Sequence, residues 1–155
     1  MDVTAKTRVT GAEIVACARG WIGTPFRHQA AVRGAGCDCL GLVRGVWREL
    51  CGTVPFPVPA YTPDWSEPQR EERLWTAASR LMRPKARAEI AAGDVVLFRM
   101  REGSVAKHLG IIGACGDAPT FIHAYAAHGV VESPLGAPWQ RRIVACFAYP
   151  FTGGH

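Results

Sequence analysis

Apolar residues recur at helical spacing three times in the first half of the chain; in the second half they gather into short runs bounded by turns. The first stripe is Ile14, Val15, Ala18 and Trp21. It follows Thr10-Gly11-Ala12-Glu13, a capping box with Thr10 as N-cap and Glu13 at the third helical position. This predicts a helix ending near Gly23, after which Thr24-Pro25-Phe26 turns the chain. The second stripe, Leu42, Val43, Val46, Trp47 and Leu50, predicts a helix approached through Gly34-Ala35-Gly36 and stopped at Gly52. Pro55, Pro57, Pro59 and Pro63 exclude regular structure over 52–66 and predict a surface loop. Ser66-Glu67-Pro68-Gln69 reads as another capping box, opening a helix through Leu74, Trp75, Ala78, Leu81 and Met82.

After Pro84 the pattern changes. Val95-Val96-Leu97-Phe98 follows Gly93-Asp94, and Leu109-Gly110-Ile111-Ile112-Gly113 precedes a turn at Gly116-Asp117-Ala118-Pro119. Phe121 to Tyr125 comes next, then a turn near His128-Gly129, a short Val130-Val131-Glu132, and an apolar run from Ile143 to Tyr149. Short β-rich runs between Gly, Pro and Asp turns predict an antiparallel meander. Helices first and strands second make an α+β fold, with N-terminal helices packed on a C-terminal antiparallel sheet.

Composition adds bounds. At 155 residues, 48% hydrophobic and 20% charged, the chain is expected to form one domain over residues 1–155 with a full core. The net charge of +5 is spread out; it suits an anionic partner or an ordinary basic surface equally. The first eight residues hold no apolar segment long enough for a signal peptide, and no run approaches membrane-spanning length. Synthesis in a reducing cytoplasm, with no membrane span, is the expectation, and the cysteines at 17, 37, 39, 51, 115 and 146 are then free thiols.

The candidate chemistry lies at Cys37-Asp38-Cys39-Leu40-Gly41-Leu42-Val43 and at two later histidines, His108 and His123. Cys39 falls on the first turn of the second helix, where unpaired N–H groups and the helix dipole favour a thiolate. A buried, inert cysteine is the alternative at such a position. His108 opens one predicted strand and His123 lies on the next, so a hairpin would set them side by side. A helix-borne thiol facing a strand-borne imidazole is the arrangement of a papain-like nucleophile, with His108 as base and His123 bonded to its other ring nitrogen. A metal site from Cys37, Cys39 and His28 competes with this, but Cys-x-Cys is an uncommon zinc spacing and no second pair exists, so neither metal nor cofactor is expected. Asp38 reads as a helix cap, His28 as a residue able to line the cleft, and His128 and His155 as solvated. Arg27 and Arg33 read as solvated loop charges or as contacts to an anionic substrate.

Five blocks stand in a recognisable order: Gly23-Thr24-Pro25-Phe26, Asp38 to Val43, Gly93 to Phe98, His108-Leu109-Gly110-Ile111 and Phe121-Ile122-His123-Ala124. Over residues 11 to 149 the chain resembles the NlpC family of cell-wall cysteine peptidases. The resemblance implies hydrolysis of peptide stems in bacterial peptidoglycan, typically at a D-glutamyl–diaminopimelate link. It implies Cys39 as nucleophile, His108 as general base, His123 as the polar orienting residue, and the Cys39 N–H as part of an oxyanion hole. Asp38, Phe26 and His28 then stand on the substrate side. Leu40 replaces the usual Ser after the nucleophile, and Phe26 the usual Tyr. Arg27-His28-Gln29 replaces the usual approach of an aromatic and a glycine pair. The Leu-Gly variant in a short chain resembles members from phage tails and gene transfer agents. That implies tail or baseplate partners and carriage to the wall on a virion-like particle, and it does not call for nucleic acid. A structural tail component that keeps the fold without activity is the alternative.

Overall fold

Thr10 closes the first helix as its sequence implies: Oγ1 accepts from the Glu13 N–H at 3.1 Å while Glu13 Oε1 accepts from the Thr10 N–H at 3.1 Å. The computed structural model describes residues 9–52 and 72–152. Helix α1 (Gly11–Arg19) buries Ile14, Val15 and Ala18 and stops four residues before Gly23, with Trp21 buried in the turn that follows. A hairpin of two short strands, β1 (Ala31–Val32) and β2 (Gly36–Cys37), comes next. Helix α2 (Cys39–Cys51) buries Leu42, Val43, Val46 and Trp47, and Gly52 ends it at φ 86°, a conformation glycine adopts without Cβ strain. Beyond Gly52, the loop expected over 52–66 and the capping box at Ser66–Gln69 lie outside the described residues. Helix α3 (Arg73–Leu81) buries Leu74 and Ala78.

The strands are β3 (Arg83–Lys85), β4 (Val95–Arg99), β5 (Ala106–Ile112), β6 (Thr120–Tyr125), β7 (Gly129–Pro134) and β8 (Ile143–Ala148). They form one antiparallel sheet in the order β3-β8-β4-β5-β6-β7. The fold is α+β, with α1, α2 and α3 packed on one face. The expected meander holds only from β4 to β7. The last strand returns to the far side of β4, and β3, absent from the sequence reading, pairs outside it. The cause is visible in β8, where Val144, Ala145 and Phe147 face the helices while Ile143 and Cys146 face a second cluster. A strand apolar on both sides gains more inside a sheet than at its edge. A short helix, α4 (Ala137–Gln140), precedes it and carries Trp139 to that second cluster.

Two anchors set α2. Tyr149, fully buried, donates its hydroxyl to the Val43 carbonyl at 2.9 Å. Two residues nearer the helix start, Gly41 lies against the loop before β1, where a Cβ would collide with the Ala30 carbonyl oxygen and stand 3.1 Å from Asp38 Oδ1. Gly41→Ala must therefore push the helix start away from that loop and cost about 1–3 kcal/mol. Gly136→Ala, whose new Cβ would meet only Pro138 Cδ at 3.8 Å, is the matched control. Urea unfolding of the two variants checks the difference, which vanishes if the helix start tolerates a side chain.

Candidate active site

Cys39 is the first residue of α2, and Asp38 is its N-cap. Asp38 Oδ1 accepts from the Gly41 N–H and Oδ2 from the Gln29 N–H, both at 2.7 Å. Gln29 reaches it by adopting a positive φ of 64°, a strained setting that folds residues 27–30 over the helix start. Asp38 is therefore a buried cap, as its position implies, and His28 stands beside it with Nδ1 3.8 Å from Oδ2. Phe26 is held by a bridge to Cys37, flanked by Cys37 N–H to the Pro25 carbonyl and Arg27 N–H to the Cys37 carbonyl.

The sulfur occupies a break in the sheet. Strands β5 and β6 pair only at Ile111↔Ile122 and Ile112↔Phe121. The Ile112 N–H donates to Asp94, toward β4, so the backbone groups of Lys107 and Leu109 turn the other way, toward β6. There Cys39 takes the place of a strand partner: its thiol donates to the Lys107 carbonyl with Sγ at 3.7 Å, and the Leu109 N–H donates to the sulfur.

His108 and His123 meet. His108 Nε2 lies 2.7 Å from His123 Nδ1, and His123 Nε2 lies 2.9 Å from Ser133 Oγ. Continuing the β5–β6 register puts His123 opposite Gly110 and diagonal to His108. A Cβ on Gly110 would come within 2.7 Å of the Phe121 ring, which packs on His123 with centroids 4.1 Å apart. Phe98 and Trp139 border His108, their ring centroids 5.8 and 5.7 Å from its own. His108 begins two residues inside β5 rather than opening it, because Ala106 already pairs with Arg99 across a bulge.

Burial controls the protonation states. It pushes the Cys39 thiol up to about 12, helped by the Asp38 carboxylate and opposed by the N–H groups of Leu109, Leu40 and Cys39. His108 is driven down to about 3 by burial and then by His123. His123 falls to about 4 through burial and then His128. The helix-start donors act in the expected direction, yet desolvation outweighs them, which in the unliganded site favours a neutral thiol and neutral imidazoles over the expected thiolate.

A pocket of about 300 Å³ joins these groups, lined by Phe26, His28, Asp38, Cys39, Met100, Lys107, His108, Ala124, Tyr125 and Ala126. His123 stands behind His108, away from this lining. Cys37 is buried on β2, and among the described residues no group of three or more His, Cys, Asp or Glu side chains is placed to hold a metal ion. All six cysteines are free. Arg33 is engaged with Glu49 and the Gly20 carbonyl, away from the pocket lining. Exposed His128 stacks on Tyr125 at 5.5 Å. Ser133, Met100, Lys107 and Tyr125 were not singled out by sequence. Alternation along β7, with Val131 opposite His123, was the one signal that could place Ser133 on the histidine face.

Both histidines bind protons more weakly in the folded state than at the ordinary imidazole value near 6.5. Between that value and their folded values the unfolded chain holds more protons, so stability is present above pH ~6.5 and drains away as pH falls toward 4 and 3. Calorimetric midpoints between pH 7 and 4 should fall, and His108→Gln should flatten that slope. Equal slopes in the two proteins would contradict the burial of a neutral His108.

Residues 23–147 match the NlpC/P60 family. The chain is 26% identical to the Escherichia coli (strain K12) "Probable endopeptidase NlpC" over 126 residues, 81% of this chain and 69% of that protein. Among solved structures, an NlpC/P60 family protein from Bacillus cereus superposes with a TM-score of 0.62 at 19% identity, covering 92% of this chain and 41% of that one. The NlpC/p60 domain of the peptidoglycan hydrolase SagA gives 0.58 at 23% identity, covering 90% of this chain and 99% of that one. The helices-on-sheet architecture is thus the papain-like one of these neighbours. No helix among the described residues is long and apolar enough to cross a membrane. With the matched segment running from the Gly23 turn to the last strand, the chain belongs to the NlpC/P60 family.

Proposed function

We propose that this chain is a cysteine peptidase that hydrolyses peptide bonds in the stems of bacterial peptidoglycan, with Cys39, His108 and His123 as its chemical groups. The observation that carries the reading is the convergence of Cys39 and His108 on one pocket, with the His108 Nε2 already held by His123. Family membership and the name of the E. coli relative, a probable endopeptidase, support the reaction class, and the name of SagA, a peptidoglycan hydrolase, supports the substrate. Residues 1–155 are read as one peptidase domain.

The chemistry follows from the neutral resting pair. As substrate enters, the Cys39 hydrogen leaves the Lys107 carbonyl and passes to His108 Nδ1, the ring nitrogen that His123 does not hold. The sulfur attacks the peptide carbonyl carbon, and the Cys39 N–H receives the developing oxyanion. His108 returns the proton to the leaving amine. Water, deprotonated by the same imidazole, then cleaves the thioester and restores the thiol. Phe26 and His28 wall the substrate side, and Asp38 contributes by holding the 27–30 loop that presents His28.

The finer setting is carriage to the wall on a phage-tail-like or gene-transfer-agent particle, supported by the Leu40-Gly41 variant after the nucleophile. The alternative, a tail component without activity, draws on the absent Ser hydroxyl at Leu40 and the absent phenol at Phe26. Detection of the chain by mass spectrometry in purified particles, against its presence only in the soluble fraction, checks the setting.

Incubation with purified stem peptides and mass spectrometry of the products checks the activity. Cys39→Ala should abolish cleavage with the fold intact. His108→Ala should lower kcat by about 10²–10⁴-fold, the range of a general base. His123→Ala should leave reduced but measurable turnover. Equal turnover by wild type and Cys39→Ala would reject the peptidase and leave the non-catalytic component.

A further inference from the structure

Behind the two histidines lies a third hydrogen-bonding group. Ser133 stands on β7 opposite Phe121, one diagonal step from His123, whose own partner is Val131. Its Oγ is 2.9 Å from His123 Nε2, and His123 Nδ1 is 2.7 Å from His108 Nε2. Phe121, Trp139 and Tyr125 surround the His123 ring at centroid distances of 4.1, 5.4 and 5.3 Å. Aromatic faces offer no comparable acceptor.

A neutral imidazole carries one ring hydrogen, and a single hydrogen fits between His108 and His123. The relay therefore has two settings. In the first, His108 bears its hydrogen on Nε2 and donates to His123 Nδ1; His123 bears its own on Nε2 and donates to Ser133 Oγ. The lone pair of His108 then lies at Nδ1, open to a proton. In the second, every hydrogen runs the opposite way, starting from the Ser133 hydroxyl. His108 then carries hydrogen on Nδ1 and cannot take one from Cys39.

We propose that Ser133 is a positioning residue whose hydroxyl oxygen accepts from His123 Nε2 and so locks the histidine pair in the setting that makes His108 a base. This rests on the peptidase reading only for its consequence. The proton placement itself is a property of the unliganded protein. When His108 gains its proton, the charge is shared along Nε2–H to His123 and onward to Ser133, which lowers the cost of forming the imidazolium in an apolar surrounding. Removing the oxygen leaves a buried N–H without a partner, and the second setting becomes competitive.

The test uses two readouts that need no peptidoglycan. Nitrogen-15 correlation spectra of the full chain report which ring nitrogen of each histidine bears hydrogen. Wild type should show His123 and His108 both protonated on Nε2, and Ser133→Ala should gain the Nδ1–H forms. The second readout is alkylation of Cys39 by iodoacetamide, followed at its own peptide by mass spectrometry. Ser133→Ala should slow it about three- to tenfold at pH 7, the worth of one hydrogen bond, while Ser133→Thr stays within about twofold of wild type. Hydrogen on His123 Nδ1 in wild type overturns the proposal, as does an unchanged alkylation rate in Ser133→Ala. If Ser133→Ala fails to fold, the wild-type spectrum and Ser133→Thr still decide it. Absence of stem-peptide cleavage would reject the proposed substrate without touching either readout.

Discussion

The site depends on a sheet that comes apart after two rungs. Past Ile111↔Ile122, β5 and β6 no longer pair with each other, which leaves the backbone groups of Lys107 and Leu109 turned into the gap. A buried amide or carbonyl without a partner is costly, so the gap must be filled. Cys39 fills it. One sulfur atom both seals the ladder and lines the pocket that His108 also lines, and the helix that carries it is held at the depth this contact requires. The Asp38 cap, the close approach at Gly41 and the Tyr149 bond to Val43 all serve to deliver the first turn of α2 to one place.

The protonation states follow from the same enclosure. A helix start favours an anion, yet it acts on Cys39 through a few N–H groups, whereas burial removes the whole hydration shell of a thiolate. Desolvation prevails for the thiol, and it also keeps both histidines neutral among Phe98, Phe121 and Trp139. Reactivity is thereby deferred. On the proposed mechanism the charged pair would form only as an incoming carbonyl receives the sulfur.

Much of this was legible in the residues. The Thr10–Glu13 box, the stripe from Leu42 to Leu50 and the apolar runs of β4 to β7 each carry a local signal, because capping and periodicity act over a few residues. Cys39, His108 and His123 were placed on the right elements for the same reason. Strand order was not legible: β8 chooses its neighbours by having two apolar faces, a property that a meander-like spacing conceals. The hairpin β1–β2 and strand β3 are too short to show alternation. Ser133 escaped because alternation along β7 can only assign it a face, and its meaning arises from the diagonal contact with His123. The thiol's state escaped too, since depth of burial is a tertiary quantity.

One tie reaches further than its size implies. The Gly23 N–H donates to the Val130 carbonyl and the Val130 N–H to the Thr24 carbonyl, while Gly129 leaves no room for a side chain against that segment. The stretch bearing Phe26 is thereby stitched to the strand that also bears Ser133. The front wall of the cleft and the strand behind the histidines thus share one pair of backbone ties. An outward swing of that wall would have to break both of them, at the cost of two backbone hydrogen bonds.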